Sequence, residues 1–145
     1  MAEIFTCITV ALSLLTTIIV AVFSCKQTKQ NNALMMAEVE MQIRQSINDA
    51  SYLFTTLKEK IDKKDKTDEN DQKESDYYME RYLNAYDEAC QKYLDRKIDI
   101  DRFKKTYAAE IKNVVKEFSD YFKPGNEYYA LLKVNTEFNN PEKKK

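Results

Sequence analysis

The chain has 145 residues, with 23 lysines and arginines against 24 aspartates and glutamates, so its net charge is −1. A single glycine excludes the phosphate-binding P-loop and the dinucleotide-binding fingerprint, because each of these motifs needs several glycines. The absence of histidine excludes serine–histidine catalytic pairs and histidine zinc sites. The balanced charge argues against a nucleic-acid binder, in which a basic excess is expected. We therefore expect a protein that is not an enzyme and that carries no cofactor or metal.

A membrane-spanning segment is the strongest signal in the sequence. Between Glu3 and Lys26 there is no charged residue. As a helix, Ile4 to Cys25 would span about 33 Å, close to the thickness of a bilayer core. A cleaved signal peptide would begin with a basic residue and carry a shorter apolar stretch. The sequence therefore predicts a retained transmembrane anchor in residues 1–25.

Cys25 leaves a second interpretation of this segment open. Residues 22–25 read Val-Phe-Ser-Cys, which is similar to the motif that precedes the lipidated cysteine of bacterial lipoproteins. Phe23 is larger than the residue usual at its place, and the basic start of such a signal is missing. A lipoprotein is therefore the alternative, with Cys25 as the lipidated residue.

The flanking charges predict the orientation of the anchor. Lys26, Lys29 and Arg44 follow the segment, whereas only Glu3 precedes it. Positive charge near a membrane helix marks the cytoplasmic side. We expect a single-pass protein of the inner (plasma) membrane, with the N-terminus outside and the C-terminal domain in the cytoplasm.

Small side chains recur every four residues within the predicted anchor, at Thr9, Ser13, Thr17 and Ala21. Small residues allow two membrane helices to approach closely, and hydroxyl groups can form hydrogen bonds across the contact. This pattern predicts self-association of the membrane helix. The alternative is that the hydroxyl groups bond back to their own helix.

A second helical pattern follows in residues 26–61, the predicted juxtamembrane amphipathic helix. Its apolar and small residues recur at steps of three and four, which is typical of one helix face. They are Met36, Val39, Ile43, Ile47, Ala50, Phe54, Leu57 and Ile61. This packing stripe suits a coiled-coil dimer or the core of a bundle. Neither glycine nor proline separates it from the anchor, so the two segments form either one continuous helix or two helices divided at the polar residues 26–32.

Residues 62–76 contain no apolar side chain, which predicts a charged flexible loop. Its carboxylates do not match a calcium-binding loop, because Asn70 stands where such a loop needs glycine. Ser75 or Asp76 would then cap the next helix.

The helical domain is predicted in residues 77–138. Helix two ends near Arg96, and Asp99 is the N-cap of helix three, with Ile98 and Phe103 at the spacing of a hydrophobic staple. The Lys-Pro-Gly stretch 123–125 predicts the end of helix three.

A short fourth helix follows, which Asn126 could cap, and a basic tail occupies residues 139–145. The predicted fold is all-α, with one N-terminal transmembrane helix followed by a three- to four-helix bundle whose first helix is long.

Asn84 and Glu88, together with Glu80 and Asp87, form the densest polar cluster within a predicted helix. Asn84 and Glu88 lie four residues apart, beside the apolar stripe of helix two, which consists of Met79, Leu83, Tyr86, Cys90 and Tyr93. One interpretation is a buried hydrogen-bonded pair that fixes helix register. The other, which we favour, is an exposed and solvated helix face. Cys90 falls on the stripe itself and is expected to be a buried apolar residue.

Residues 82–107 resemble a pattern found in bacterial proteins of unknown function that combine one N-terminal membrane helix with a small helical domain. The shared features are Asn84 and Glu88, then Lys-Ile-Asp at 97–99, then aromatic residues at Phe103 and Tyr107. The resemblance implies an α-helical domain and a membrane anchor, and it brings no catalytic residue.

Together these features predict a membrane-anchored accessory or scaffold subunit that mediates protein–protein interaction at the inner face of the membrane. Its expected partners are the membrane and either a second copy or a larger protein, with no nucleic acid. One alternative is a ligand or stress sensor that signals through the juxtamembrane helix. The other is an envelope-facing component, similar to a phage spanin or a lipoprotein.

Overall fold

The computed structural model describes residues 2–64, 68–122 and 128–140, with side chains from residue 12 onward. The chain divides into two compact units, Met1–Ala37 and Glu38–Lys145.

The described residues contain four α-helices and one short 3-10 helix, and no strand occurs among them. They are α1 (Ala2–Asp62), α2 (Glu69–Leu94), α3 (Ile100–Glu117), the 3-10 helix Ser119–Tyr121 and α4 (Tyr129–Asn139). The prediction of an all-α helical bundle is confirmed.

The structure does not support the predicted transmembrane helix. Where side chains are described, no helix is both long enough and apolar enough to cross a membrane, which does not fit a single-pass anchor. The described part of the predicted segment, residues 12–25, measures only about 21 Å as a helix, less than a bilayer core. The side chains of residues 4–11 lie outside the description.

One face of α1 is buried in the Glu38–Lys145 unit, and it is the face that carries the predicted packing stripe. Ile43, Ile47, Ala50 and Leu57 are buried. Val39, Phe54 and Ile61 are half-buried, and so is Met36 of the other unit. Most of the residues between them are exposed. The stripe residues that join the common core, Val39 to Phe54, pack within the chain's own bundle.

The second helix begins earlier than the sequence predicts. Asp68 is its N-cap and accepts hydrogen bonds from the amides of Asn70 and Asp71, at 2.8 and 2.9 Å. Asp71 returns the bond by accepting from the Asp68 amide, which completes a capping box. The predicted loop 62–76 is therefore too long, and neither Ser75 nor Asp76 is the cap. Acidic residues in a first helical turn are stabilised by the helix dipole, so a segment without apolar side chains can still be helical.

Asp71 is the one buried charged residue among those described. The Lys64 ammonium donates to its carboxylate and, together with the Asp68 amide, holds the pKa of Asp71 below its usual value. The capping box and this ion pair join the end of α1 to the start of α2.

A Schellman motif ends α2. The amide of Lys97 donates to the carbonyl of Lys92, and that of Arg96 to the carbonyl of Tyr93. Arg96 has φ 55°, a left-handed conformation that glycine usually provides. The predicted end of helix two near Arg96 agrees with this geometry.

The N-terminus of α3 is capped by residues from two helices. Asp99 accepts from the Arg102 amide at 2.9 Å, as the sequence predicts for an N-cap. The return bond of a capping box is missing locally because the third residue of the helix is Arg102. Instead Glu40 of α1 accepts from the Asp99 amide at 3.0 Å and pairs with the Arg102 guanidinium at 3.0 Å. This contact fastens α3 to α1.

The third helix ends at Glu117, before the predicted stop at 123–125, which lies outside the described residues. Phe118 is the C-cap and is buried, and the 3-10 helix follows directly. Phe122 follows the 3-10 helix and packs edge-on against Tyr128, with ring centroids 5.7 Å apart.

The short α4 packs against both α2 and α3. Its N-cap, Tyr128, supplies no side-chain cap. Asp87 of α2 takes that role by accepting from the Leu131 amide at 2.8 Å and from the Ala130 amide. The helix ends at Asn139, one residue beyond the predicted boundary at 138. The proposed cap Asn126 and tail residues 141–145 lie outside the description.

All four helices contribute buried residues to one core within the Glu38–Lys145 unit. Its largest fully buried side chains are Leu83, Ile98, Ile111, Leu131, Val134 and Cys90.

Candidate functional site

A groove runs between α1 and α2 on the surface of the Glu38–Lys145 unit. It consists of two adjoining cavities of about 480 and 160 Å³ that share lining residues. The second half of α1 and the middle of α2 form its sides, and the helices run in opposite directions there. We call this the α1–α2 groove, and its lining residues are Val39, Gln42, Ile43, Gln45, Ser46, Asp49, Ala50, Arg81, Asn84, Ala85, Glu88, Ala89 and Lys92.

Small side chains create the groove. Ser46 and Ala50 of α1 lie opposite Ala85 and Ala89 of α2. The three alanines are buried, so they form the floor. Larger residues at these positions would fill the space between the two helices. The sequence gives a partial signal for the floor, since Ala50 belongs to the predicted stripe.

The rims of the groove are polar. Gln42 and Gln45 line the α1 side, and Asn84 lines the α2 side. Asp49 and Arg81 lie towards the same end, and neither forms a hydrogen bond or an ion pair with any other residue in the described part of the chain. The Asp49 carboxylate and the Arg81 guanidinium could therefore each pair with a charged group of a bound molecule.

The other end of the groove carries a paired charge. Glu88 and Lys92 of α2 form an ion pair of 3.5 Å, with both side chains reaching solvent. The groove therefore contains two acidic and two basic residues and has no net charge.

The structure excludes a buried Asn84–Glu88 pair and agrees with the alternative, an exposed helix face. Both residues are exposed, and Glu88 pairs with Lys92. Ala85 and Ala89, one position further along, face α1 in their place. Asn84 and Glu88 lie together in the rim of the α1–α2 groove, where they can meet a partner.

Large exposed apolar residues continue both rims. Met41 and Tyr52 lie on the same face of α1 as Gln45 and Asp49, at steps of four, four and three residues. Tyr77 precedes Arg81 by one helical turn on α2. The exposed fractions of Met41, Tyr52 and Tyr77 are 65, 71 and 58%. Methionine, tyrosine and arginine are enriched where proteins meet other proteins.

The predicted self-association stripe is only partly described. Thr9 lies outside the described side chains, whereas Ser13, Thr17 and Ala21 are exposed. The Thr17 hydroxyl donates to the Ser13 carbonyl at 2.8 Å, and Thr16 does the same. The hydroxyls of Thr16 and Thr17 thus bond back to their own helix, as the alternative interpretation predicts. Self-association stays a prediction.

Buried tyrosines pair with carboxylates inside the bundle. Tyr86 donates to Glu110 at 3.3 Å, and Tyr93 donates to Glu137 at 2.8 Å. Burial raises the pKa of both phenols, so they remain protonated donors. These bonds join α2 to α3 and to α4, and they give the tyrosines a structural role. The partners are 24 and 44 residues apart, a spacing that no sequence motif reveals.

Two cysteines have described side chains, and both are free thiols. Cys90 is fully buried, as predicted, and burial raises the pKa of its thiol, which makes it unreactive. Cys25 is exposed. In the described part of the chain, no cluster of three acidic or cysteine side chains could hold a metal ion.

A further open cavity of about 530 Å³ lies where α2, α3 and α4 approach one another. Its lining includes Tyr93, Arg96, Asp101 and Glu137. Because the Tyr93 hydroxyl already bonds to Glu137, the α1–α2 groove offers more unpaired polar groups and is the stronger candidate site.

We compared the chain with protein-family models, curated proteins and solved structures, and found no match in any of the three. The function must therefore be argued from this chain's own residues.

Proposed function

We propose that this protein is a membrane-anchored accessory subunit that holds a helical interaction domain at the cytoplasmic face of the membrane. The single observation that carries the anchor is the exposed apolar surface of α1. Eight large aliphatic or aromatic residues there are each more than half exposed: Leu12, Leu14, Leu15, Ile18, Ile19, Val20, Val22 and Phe23. Removing them from water would gain on the order of 10 kcal/mol, so lipid or protein must cover them.

Lipid covers this surface better than a protein partner would. Ile18, Ile19 and Val20 are consecutive, so they face three different sides of the helix. One partner helix covers a single stripe, whereas a bilayer surrounds a helix completely. The hydroxyls of Thr16 and Thr17 are satisfied within the helix, as a lipid environment requires. The uncharged sequence extends from Ile4 to Cys25, which is long enough for a bilayer core.

The orientation follows from the basic residues after the anchor. Lys26 and Lys29 immediately follow the apolar stretch, and both favour the cytoplasmic side. The helical domain from Glu38 onward then lies in the cytoplasm.

The interaction role rests on the α1–α2 groove. It combines a small-residue floor, charged rims without net charge and exposed Met41, Tyr52 and Tyr77. This composition favours a protein partner over an anionic surface.

Alkaline carbonate extraction of membranes that contain the full chain tests the anchor. We expect the chain to stay in the membrane pellet. Replacing Leu15 and Ile18 together by aspartate should move it to the supernatant, because each carboxylate near a bilayer centre costs about 3 kcal/mol. The matched control replaces the same two residues by alanine and should stay in the pellet. Extraction of the unaltered chain by carbonate would refute the anchor.

A further inference from the structure

The α1–α2 groove has the dimensions of a site for a helix. Between Val39 and Ala50 it follows α1 for about 17 Å, which is three helical turns. The groove is open to solvent along its length, and the rim side chains of Gln42, Gln45 and Asn84 are exposed. An open groove of this length suits a linear occupant, whereas a small molecule is normally enclosed on most sides.

The floor of the groove determines what kind of side chains can enter it. Ser46, Ala50, Ala85 and Ala89 present no large group, so apolar side chains of an incoming helix can reach between α1 and α2. Met41 and Tyr77 beside the rims extend the apolar contact. Helix-in-groove recognition uses this combination of apolar anchors at helical spacing.

The charged residues at the rims of the groove indicate which charges the bound helix should carry. Asp49 and Arg81 are unpaired within the described residues, and they lie on opposite rims at one end of the groove. An acidic residue of the partner would meet Arg81, and a basic residue would meet Asp49. Because the groove has no net charge, neither nucleic acid nor an anionic lipid surface complements it.

A second copy of the chain fits this surface poorly. In a two-fold dimer the same patch faces itself. Two concave grooves would then face each other, and neither presents a ridge that fills the cavities of the other.

From these features we propose that the α1–α2 groove binds one amphipathic α-helix of a different protein, about three turns long. This helix inserts apolar side chains over the floor. It presents an acidic residue to Arg81 and a basic residue to Asp49. The inference rests on the interaction role proposed above and names its site and the chemistry of the partner.

Site-specific photo-crosslinking of the full chain in its native host tests the proposal. The photoreactive amino acid p-benzoylphenylalanine replaces Gln45 in the groove or, as a matched control, Asn48, which is exposed on α1 outside the groove. We expect an adduct with one other protein at position 45 and none at position 48. Mass spectrometry should map the cross-link to an amphipathic helical segment of that protein.

Filling the groove provides the second measurement. Ser46→Phe places a large ring between the two cavities and should lower the yield at position 45 at least about tenfold, whereas Asn48→Phe should leave it unchanged. Both variants should unfold within about 3 °C of the parent chain. A yield at position 45 that survives Ser46→Phe would overturn the proposal, as would a self-adduct, a lipid adduct or no adduct.

The same cells separate this proposal from the proposed anchor. If the chain resists carbonate extraction but forms no adduct at position 45, the helix site is wrong and the anchor stands. If carbonate extracts the chain but the groove-dependent adduct forms, the anchor is wrong and the helix site stands.

Discussion

Arg96 shows how a single residue can hold a conformation that its type does not favour. Its φ of 55° places it in the left-handed region at the C′ position of α2. There the Cβ atom lies too close to the following carbonyl, at a cost of about 1–2 kcal/mol that glycine avoids. The sequence offers no signal for this, because its one glycine lies elsewhere.

Replacing this residue by glycine should stabilise the full chain. We expect Arg96→Gly to raise the free energy of unfolding by about 0.5–1 kcal/mol, since glycine's greater freedom in the unfolded chain cancels part of the relief. Denaturant unfolding in detergent measures it. Arg96→Ala keeps the Cβ atom and should bring no gain. An equal gain in both variants would show that the guanidinium, and not the backbone, is the source of strain.

Asn84 and Glu88 show what periodicity alone leaves open. Their spacing on α2 identifies the edge of an apolar stripe, but the side that α1 covers depends on the approach of a helix more than twenty residues earlier. That approach buries Ala85 and Ala89 and leaves Asn84 and Glu88 exposed. A difference of one position, or about 100° around the helix, separates a core residue from a rim residue.

At the scale of elements, caps supplied by other helices define the bundle. Asp87 of α2 caps α4, and Glu40 of α1 completes the cap of α3. The bonded residues are 44 and 59 positions apart, so the sequence gives no hint of them. The local cap of α3 at Asp99 was predictable because its bond spans three residues.

Substitution of Asp87 tests two contributions to the cap of α4 separately: the negative charge of the carboxylate and its hydrogen-bond acceptor oxygen. Burial raises the pKa of Asp87, while the amides of Leu131 and Ala130 oppose the rise. A carboxyl group whose pKa is raised on folding contributes most at low pH and loses that contribution as pH rises through the folded value. At pH 7 the charge is therefore a cost, although the oxygen atoms still cap α4.

We expect Asp87→Ala to lower the free energy of unfolding by about 1–2 kcal/mol, because the amides of α4 lose their acceptor. Asp87→Asn keeps an acceptor oxygen without charge, so at pH 7 it should be at least as stable as the parent chain. This advantage should vanish near pH 3. Equal losses in both variants would mean that the charge, through the helix dipole, is what stabilises α4.

The start of α2 could not be predicted from the lack of apolar side chains there. Residues 69–76 carry no apolar side chain, yet they are helical because Asp68 and Asp71 form a capping box and acidic groups favour the first turn. The positions of both aspartates were visible in the sequence. The early end of α3 at Glu117 had no such signal, because neither glycine nor proline lies nearby.

At the scale of the whole molecule, the two units differ in whether their large apolar side chains are buried or exposed. In the Glu38–Lys145 unit, apolar side chains pack inward around a common core. In the Met1–Ala37 unit, the large apolar side chains that are described face outward. The exposure of such residues on several sides of one helix is the observation on which we base the proposal of a membrane anchor.

Cysteine labelling in intact cells tests the central claim most directly. Cys7, Cys25 and Cys90 are replaced by alanine, and single cysteines are introduced by Ala2→Cys or by Glu80→Cys on the exposed side of α2. A membrane-impermeant maleimide should label the cysteine at position 2 from outside and the one at position 80 only after permeabilisation. Labelling at position 80 in intact cells would contradict the account, because it would place the helical domain and its groove outside the cytoplasm.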